Sequence, residues 1–189
     1  KCRMTILGDK AQTLDEQMRD VLQFLPGVFD QKIRKIVMNK SYRNTMEIAR
    51  YAEKLTGVKD VELLKRHGKE VVEEQFQTED AVLDEILSKA KLGEDEYETA
   101  AIITMTEAEA STLYQILKAR GEEVHYIDRN SSVFKKGLTV TTFYLAKGLE
   151  FDQVFSLFPA ADQSLIAKQG RYIAATRALH KLHMYEYGK

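Results

Sequence analysis

Thr99-Ala100-Ala101-Ile102-Ile103-Thr104-Met105-Thr106-Glu107-Ala108-Glu109 decides how the rest of the chain reads. Its first half is apolar at consecutive positions, so a strand formed there buries both faces. That suits an inner strand of a parallel sheet with helices on each side; an antiparallel strand with one wet face would alternate. Its second half changes character. The Thr106 hydroxyl can accept from the first turn of a helix, and Glu109, three residues on, can reach back to the Thr106 N–H, which is a capping box. A strand, a short turn and a helix start in immediate succession form the first half of a crossover unit.

The same alternation extends outward. Downstream, the helix runs to Gly121. Val124–Ile127, Leu138–Phe143 and Gln153–Phe158 then predict three strands, Ile166–Leu179 a helix, and Leu182–Tyr187 a last strand. Upstream, Asp80–Ala90 predicts a helix with Val82, Ile86 and Leu87 on one side. Val61–Leu64 and Val71–Val72 predict two short strands around a turn at Gly68. A helix starting near Asn44-Thr45 runs through Ile48, Tyr51, Ala52 and Leu55 and stops at Gly57. Before it, Ile33–Met38 reads as a strand, Leu14–Leu25 as a helix stopped by Pro26-Gly27, and Met4–Leu7 as a strand ending at Gly8-Asp9. The pattern predicts an α/β fold, a mostly parallel sheet flanked by helices, with ligands at the carboxyl ends of its strands.

The 189 residues suffice for one such domain, or a domain with a short flanking piece. At 44% hydrophobic and 30% charged residues, the composition is that of a globular chain with a real core. The net charge of -1 gives no bulk attraction to nucleic acid, which leaves that task to a local patch. A single cysteine, Cys2, excludes an internal disulfide framework and a thiolate zinc cluster. A cytoplasmic location is expected. No apolar run approaches the roughly 20 residues that span a bilayer, so no membrane partner is expected. The chain opens on Lys1-Cys2-Arg3 without an initiator methionine and reads as a piece of a longer protein.

Four segments carry conspicuous polar residues. Gly8-Asp9-Lys10-Ala11-Gln12 could sense a phosphate, a metal-bound water or a neighbouring loop, or could be a plain turn with a helix cap at Asp9. Ser41-Tyr42-Arg43-Asn44-Thr45 offers a guanidinium fork for phosphate oxygens and a ring for a base, or a salt bridge beside a half-buried tyrosine. In Thr141-Thr142-Phe143-Tyr144-Leu145-Ala146-Lys147-Gly148-Leu149-Glu150-Phe151, the Glu150 carboxylate matches ribose hydroxyls, and Lys147 and the threonines match a nucleic-acid backbone; the other reading is an ordinary crossover loop. Arg171-Tyr172-Ile173-Ala174-Ala175-Thr176-Arg177-Ala178 puts a full charge on a small, apolar helix, which needs an anionic ligand or a carboxylate. The sequence holds no Gly-x-x-x-x-Gly-Lys-Ser/Thr loop and no apolar strand ending in Asp-Glu, so phosphoryl transfer lacks its cradle and its metal site. No metal-ligand spacing appears. His180 and His183 are assigned to surface or capping roles near the end of the last helix, and Tyr185 and Tyr187 to sheet packing.

In this order the four segments resemble the third to sixth motifs of superfamily 1 DNA helicases of the UvrD/Rep/PcrA type, closest to compact helicase IV-like forms. Ala146-Lys147-Gly148-Leu149-Glu150-Phe151 and Thr176-Arg177-Ala178 carry most of the likeness. The resemblance implies a RecA-like second motor domain, a P-loop NTPase-type fold lacking its own P-loop, over residues 31–189 with a small insertion around 60–100. Residues 1–30 would be the terminal piece of the first motor domain. By the same resemblance Gln12 senses the terminal phosphate, Tyr42 stacks on adenine, and Arg43 and Arg177 act as arginine fingers. Glu150 binds ribose, Gly148 permits the backbone turn, and Thr142 with its loop faces the single strand. ATP and Mg2+ would serve the full-length parent, with none bound tightly by this piece, which is expected to be inactive alone as an ATPase. The implied partners are the first motor domain of the same polypeptide, single-stranded DNA, and a protein such as RNA polymerase. The alternative is a degenerate helicase-like module that binds protein or nucleic acid without catalysis. Three departures stand out: Ser41 for the usual Asn, Tyr144-Leu145 for the common His-Ser, and no Trp to stack on a base.

Overall fold

A computed structural model of the chain describes residues 4–8, 21–29, 34–38, 40–57, 62–63, 65–90, 92–93, 97–131 and 134–188. Its centre is β4 (Thr99–Thr104), paired in parallel with β6 (Gly137–Thr142) on one side and β7 (Phe151–Pro159) on the other. Beyond β6 lies β5 (Val124–Tyr126); beyond β7 lie β8 (Ala178–Tyr187) and then β3 (Val72–Phe76). Every neighbour in the resulting order β3-β8-β7-β4-β6-β5 is parallel. This is the RecA-like α/β architecture that the sequence implies.

The run of consecutive apolar residues in β4 explains the layering. Ala101 and Ile103 pack on one face, with Ile48 of α2 (Met46–Thr56), Ile173 of α5 (Leu165–Ala175) and Phe143 and Ala146 of the following loop. Ala100 and Ile102 pack on the other, with Val82, Leu83 and Ile86 of α3 (Glu79–Lys89) and Leu113 and Leu117 of α4 (Glu107–Ala119). All four β4 residues have no exposed surface. Burying each isoleucine contributes about 1.5–3 kcal/mol before entropy is counted. The Thr106 capping box forms as read, with Glu109 N to Thr106 Oγ1 at 3.2 Å and Thr106 N to Glu109 Oε2 at 2.8 Å.

Several local expectations are corrected. Residues 4–8 and 34–38 have no strand structure, and Leu7, Ile36, Val37 and Met38 are exposed by 70% or more. An apolar run needs a neighbouring strand to take its backbone bonds, and neither segment is paired. The predicted helix around residues 14–25 is described only from Val21, as α1 (Val21–Val28), and it continues past Pro26. The strands on either side of Gly68 do not pair with each other: β2 (Glu62–Leu63) pairs with β1 (Lys40–Ser41), while β3 joins the edge of the main sheet. The last helix ends at Ala175, not Leu179, because the chain turns at Thr176 and Arg177 to enter β8. Arg177 therefore lies in a turn. His180 and His183 fall on β8, where His183 is buried against Phe155 at 4.7 Å between ring centroids. Among the described residues no helix is long and apolar enough to cross a membrane.

Candidate functional site

The predicted nucleotide residues meet at the amino ends of β7 and β8. The two strands start in register, Phe151 opposite Ala178, so Glu150 and Arg177 stand side by side just before them. Phe151 N donates to Arg177 O at 3.0 Å, which fixes the turn. The Arg177 side chain is 2% exposed; its Nη1 reaches Leu149 O at 3.4 Å and its Nη2 reaches Thr176 Oγ1 at 3.1 Å. Arg43 arrives from the turn before α2 and forms an ion pair, through Nε, with Glu150; their side chains are 42% and 40% exposed. The loop between β6 and β7 carries Gly148 at φ +85°, with nothing near its missing Cβ, a conformation that other L-residues resist.

Two residues outside the predicted set hold this rim together. Asn44 Nδ2 donates to Ala178 O at 2.7 Å and to Thr176 O at 3.4 Å. Arg66 Nη2 donates to Arg43 O and Leu179 O, both at 2.7 Å. Asn44 lay in plain view within its motif. Arg66 lies in a stretch with weak periodicity, and no sequence signal marked it. Glu47 further anchors the Arg66 loop, accepting from Gly68 N at 2.7 Å and pairing with His67 Nδ1 at 2.8 Å. The His67 hydrogen bond, with backbone donors beside it, lowers the Glu47 pKa to about 2.

Arg43, Glu150 and Arg177 are thus brought together, and Tyr42 beside them is 67% exposed. Gln12 lies outside the described residues. Thr142, expected to face a nucleic acid, is fully buried at the end of β6. The position of the cluster also corrects a general expectation, because it sits at the amino ends of the strands and not the carboxyl ends. The carboxyl ends of β4, β5 and β6 hold a different group. Glu107 Oε1 accepts from Tyr144 Oη and from Arg129 Nε, each at 2.5 Å, and the Arg129 guanidinium lies 5.9 Å from the Tyr144 ring centroid. The Tyr144 hydrogen bond, then Arg129, holds the Glu107 pKa below the usual carboxylate value. The Arg129 side chain is 72% exposed, so its outer nitrogens face solvent. Among the described residues no group of three or more His, Cys, Asp or Glu could hold a metal ion.

No family model matches the chain, and no curated protein matches it either. Among solved structures it is similar to the C-terminal domain of a possible DNA helicase from Lactobacillus plantarum WCFS1. The two share 30% identity over 79% of this chain and 89% of that one, with a TM-score of 0.64. A complex of the arterivirus nonstructural protein 10 helicase with DNA matches at 14% identity over 63% of this chain and 29% of that one. Its TM-score of 0.38 is too low to bear on the argument.

Proposed function

The chain belongs to the family of helicase C-terminal domains, and on that premise we propose that it is the second motor domain of an ATP-dependent DNA helicase or translocase of the UvrD-like type, contributing one wall of a split ATP site. The observation that carries this reading is the gathering of Arg43, Glu150 and Arg177 on one rim from three distant parts of the sequence. In this proposal residues 31–189 form the domain and residues 1–30 end the first motor domain, which supplies the phosphate loop and the Mg2+ ligands.

ATP, with its Mg2+, supplies the transferable phosphoryl group. The residues of this chain bind and orient it. The exposed Tyr42 ring offers a face to adenine, and Glu150 accepts from the ribose hydroxyls. Engaging Glu150 there releases Arg43, an exchange that costs little because a half-exposed ion pair is worth only about 0–1 kcal/mol. Arg177 stands beside Glu150 on the same rim, where a phosphate oxygen would make a charge-assisted bond with its guanidinium. The two guanidiniums then stabilise charge on the transferring group, while Gln12 reports its presence to the DNA site. At the carboxyl ends, Arg129 and Tyr144 offer a cation and a ring to a single strand, with weak, salt-sensitive binding in keeping with the net charge of -1.

The test uses the intact parent polypeptide. Arg177→Ala lowers its single-strand-stimulated ATPase by about 10³–10⁵, and the half-exposed Arg43→Ala, which leaves the core untouched, lowers it as well. A wild-type rate in both variants overturns the proposal. It would favour the alternative, a non-catalytic regulatory module, for which the present engagement of both guanidiniums by groups of this same chain is the supporting observation.

A further inference from the structure

A cleft of about 280 Å³ lies between α2, α5 and the outer strands β3, β8 and β7. It is well away from the nucleotide rim. Arg177 precedes the first residue of β8, whereas Glu186 in the cleft is near the last, roughly 26 Å along the strand at about 3.3 Å per residue. Two rows of residues, in register across three parallel strands, make its floor. Glu73, Met184 and Ser156 form the first, and Gln75, Glu186 and Phe158 the second. Tyr51 of α2 and Arg171 of α5 close the sides.

Tyr51, Gln75 and Arg171 each already donate within or beside this cleft. Tyr51 Oη donates to Glu73 Oε1 at 2.7 Å, and Gln75 Nε2 to Glu186 Oε2 at 3.1 Å. Arg171 lies 5.3 Å from the Phe158 ring centroid and donates to Asp162 O at 3.0 Å, Pro159 O at 3.2 Å and Glu186 Oε1 at 3.1 Å. Acceptor capacity remains, since each carboxylate oxygen has two lone-pair directions. Beyond Tyr51, the Glu73 carboxylate meets Lys54 at 3.6 Å, and that lysine side chain is 72% exposed and easily displaced. Of the two positive charges that balance Glu73 and Glu186, only Arg171 is buried; the other, Lys54, lies at the exposed edge and can give way to an incoming cation. Ser156 supplies an independent sign of a missing partner. It shares the inward face of β7 with Val154 and Phe158, is 1% exposed, and its hydroxyl has no hydrogen-bond partner among the described residues. A buried hydroxyl without a partner is costly, which marks a place where a polar group belongs; beside two carboxylates a cationic donor fits best.

We infer that this cleft binds a protonated aliphatic amine, its ammonium group taken by the acceptors of Glu73, Glu186 and Ser156 and its methylene stem lying against the partly exposed Tyr51 ring at the side of the cleft. The volume suits a chain of lysine side-chain length. The amine is either a free small molecule or the lysine side chain of a partner, and the recognising chemistry is the same. The inference does not depend on the ATP-site reading.

Titration of the 189-residue chain with spermidine, 1,5-diaminopentane and Nα-acetyl-lysine amide, followed by backbone amide NMR at constant ionic strength, tests this. The expected result is saturable shifts centred on residues 73, 156 and 184, absent with 1-pentanol or MgCl2. Ser156→Ala and Glu73→Gln should each weaken binding by about tenfold while thermal melts confirm folding. Tighter binding of the free amines, or of the lysine amide, supports the inference and identifies the source. No saturable shift, an equal response to 1-pentanol or MgCl2, or unchanged affinity in Glu73→Gln overturns it and leaves Ser156 satisfied by water alone.

Discussion

His183 was read from the sequence as a surface or capping residue, and the structure buries it under Phe155 with its Nδ1 3.0 Å from Tyr185 Oη. Burial, followed by the nearby positive charges of Lys89 and Lys181, lowers its pKa from 6.5 to about 4. The folded state therefore resists a proton that the unfolded chain accepts. The sign follows: the contribution of His183 to stability is complete above pH 6.5 and is lost as pH falls from 6.5 toward 4. The loss amounts to at most about 3 kcal/mol. Glu47, lowered from 4.5 to about 2, loses its contribution in the next window down, as pH falls through those values. His183→Gln keeps a partner for Tyr185 and removes the titration, so urea melts of this variant should show a flatter dependence on pH between 6.5 and 4 than the parent. A parallel slope in both would mean that His183 is not the group responsible. The predicted last strand, Leu182–Tyr187, already contained His183; its spacing did not show that this position is packed under Phe155 rather than left at the surface.

At the scale of elements, Thr45 and Thr106 show how far a local signal reaches. Both stand before an apolar-periodic run and both are helix N-caps in the structure. Thr106 caps with its hydroxyl, and Thr45 does not; its buried hydroxyl has no partner among the described residues. Thr106→Ala should cost about 1 kcal/mol in chemical denaturation, whereas Thr45→Val should be neutral or stabilising, because it removes an unsatisfied polar atom at constant shape. Equal losses in the two would deny this distinction. Periodicity made β4, α4 and most of β5 to β8 legible, since each buries apolar residues in its own repeat. It could not show partners. The runs at 4–7 and 34–38 want burial as strongly as β4 does, yet they find no strand to join. The two short strands flanking Gly68 likewise gave no sign that only β3 enters the main sheet.

For the whole molecule, the motifs announced which residues matter, and the topology decided where they meet. Parallel strands beginning in register bring Glu150 beside Arg177, and Asn44 and Arg66 draw in Arg43. None of this follows from spacing along the chain, which is why the carboxyl ends looked the better place for a ligand. The rim opens outward with a guanidinium and a carboxylate that neutralise each other, and the described residues hold no metal-ligating group to complete it. The proposed half-site therefore predicts that the purified chain hydrolyses ATP no faster than a buffer blank, with or without single-stranded DNA; robust turnover would end that reading. The exposed apolar residues give a second, structural consequence. Leu7 at 84%, Phe24 at 67% and Met38 at 85% exposure place a costly surface on one end of the chain. If residues 1–30 pack into the rest of the first motor domain and that domain also covers Met38, amides at 5–7 and 36–38 exchange quickly in this chain and slowly in the intact protein. Amide exchange by mass spectrometry on both would decide; equally fast exchange at 5–7 in the intact protein would deny that residues 1–30 complete the first motor domain, and at 36–38 would show that this domain does not cover Met38.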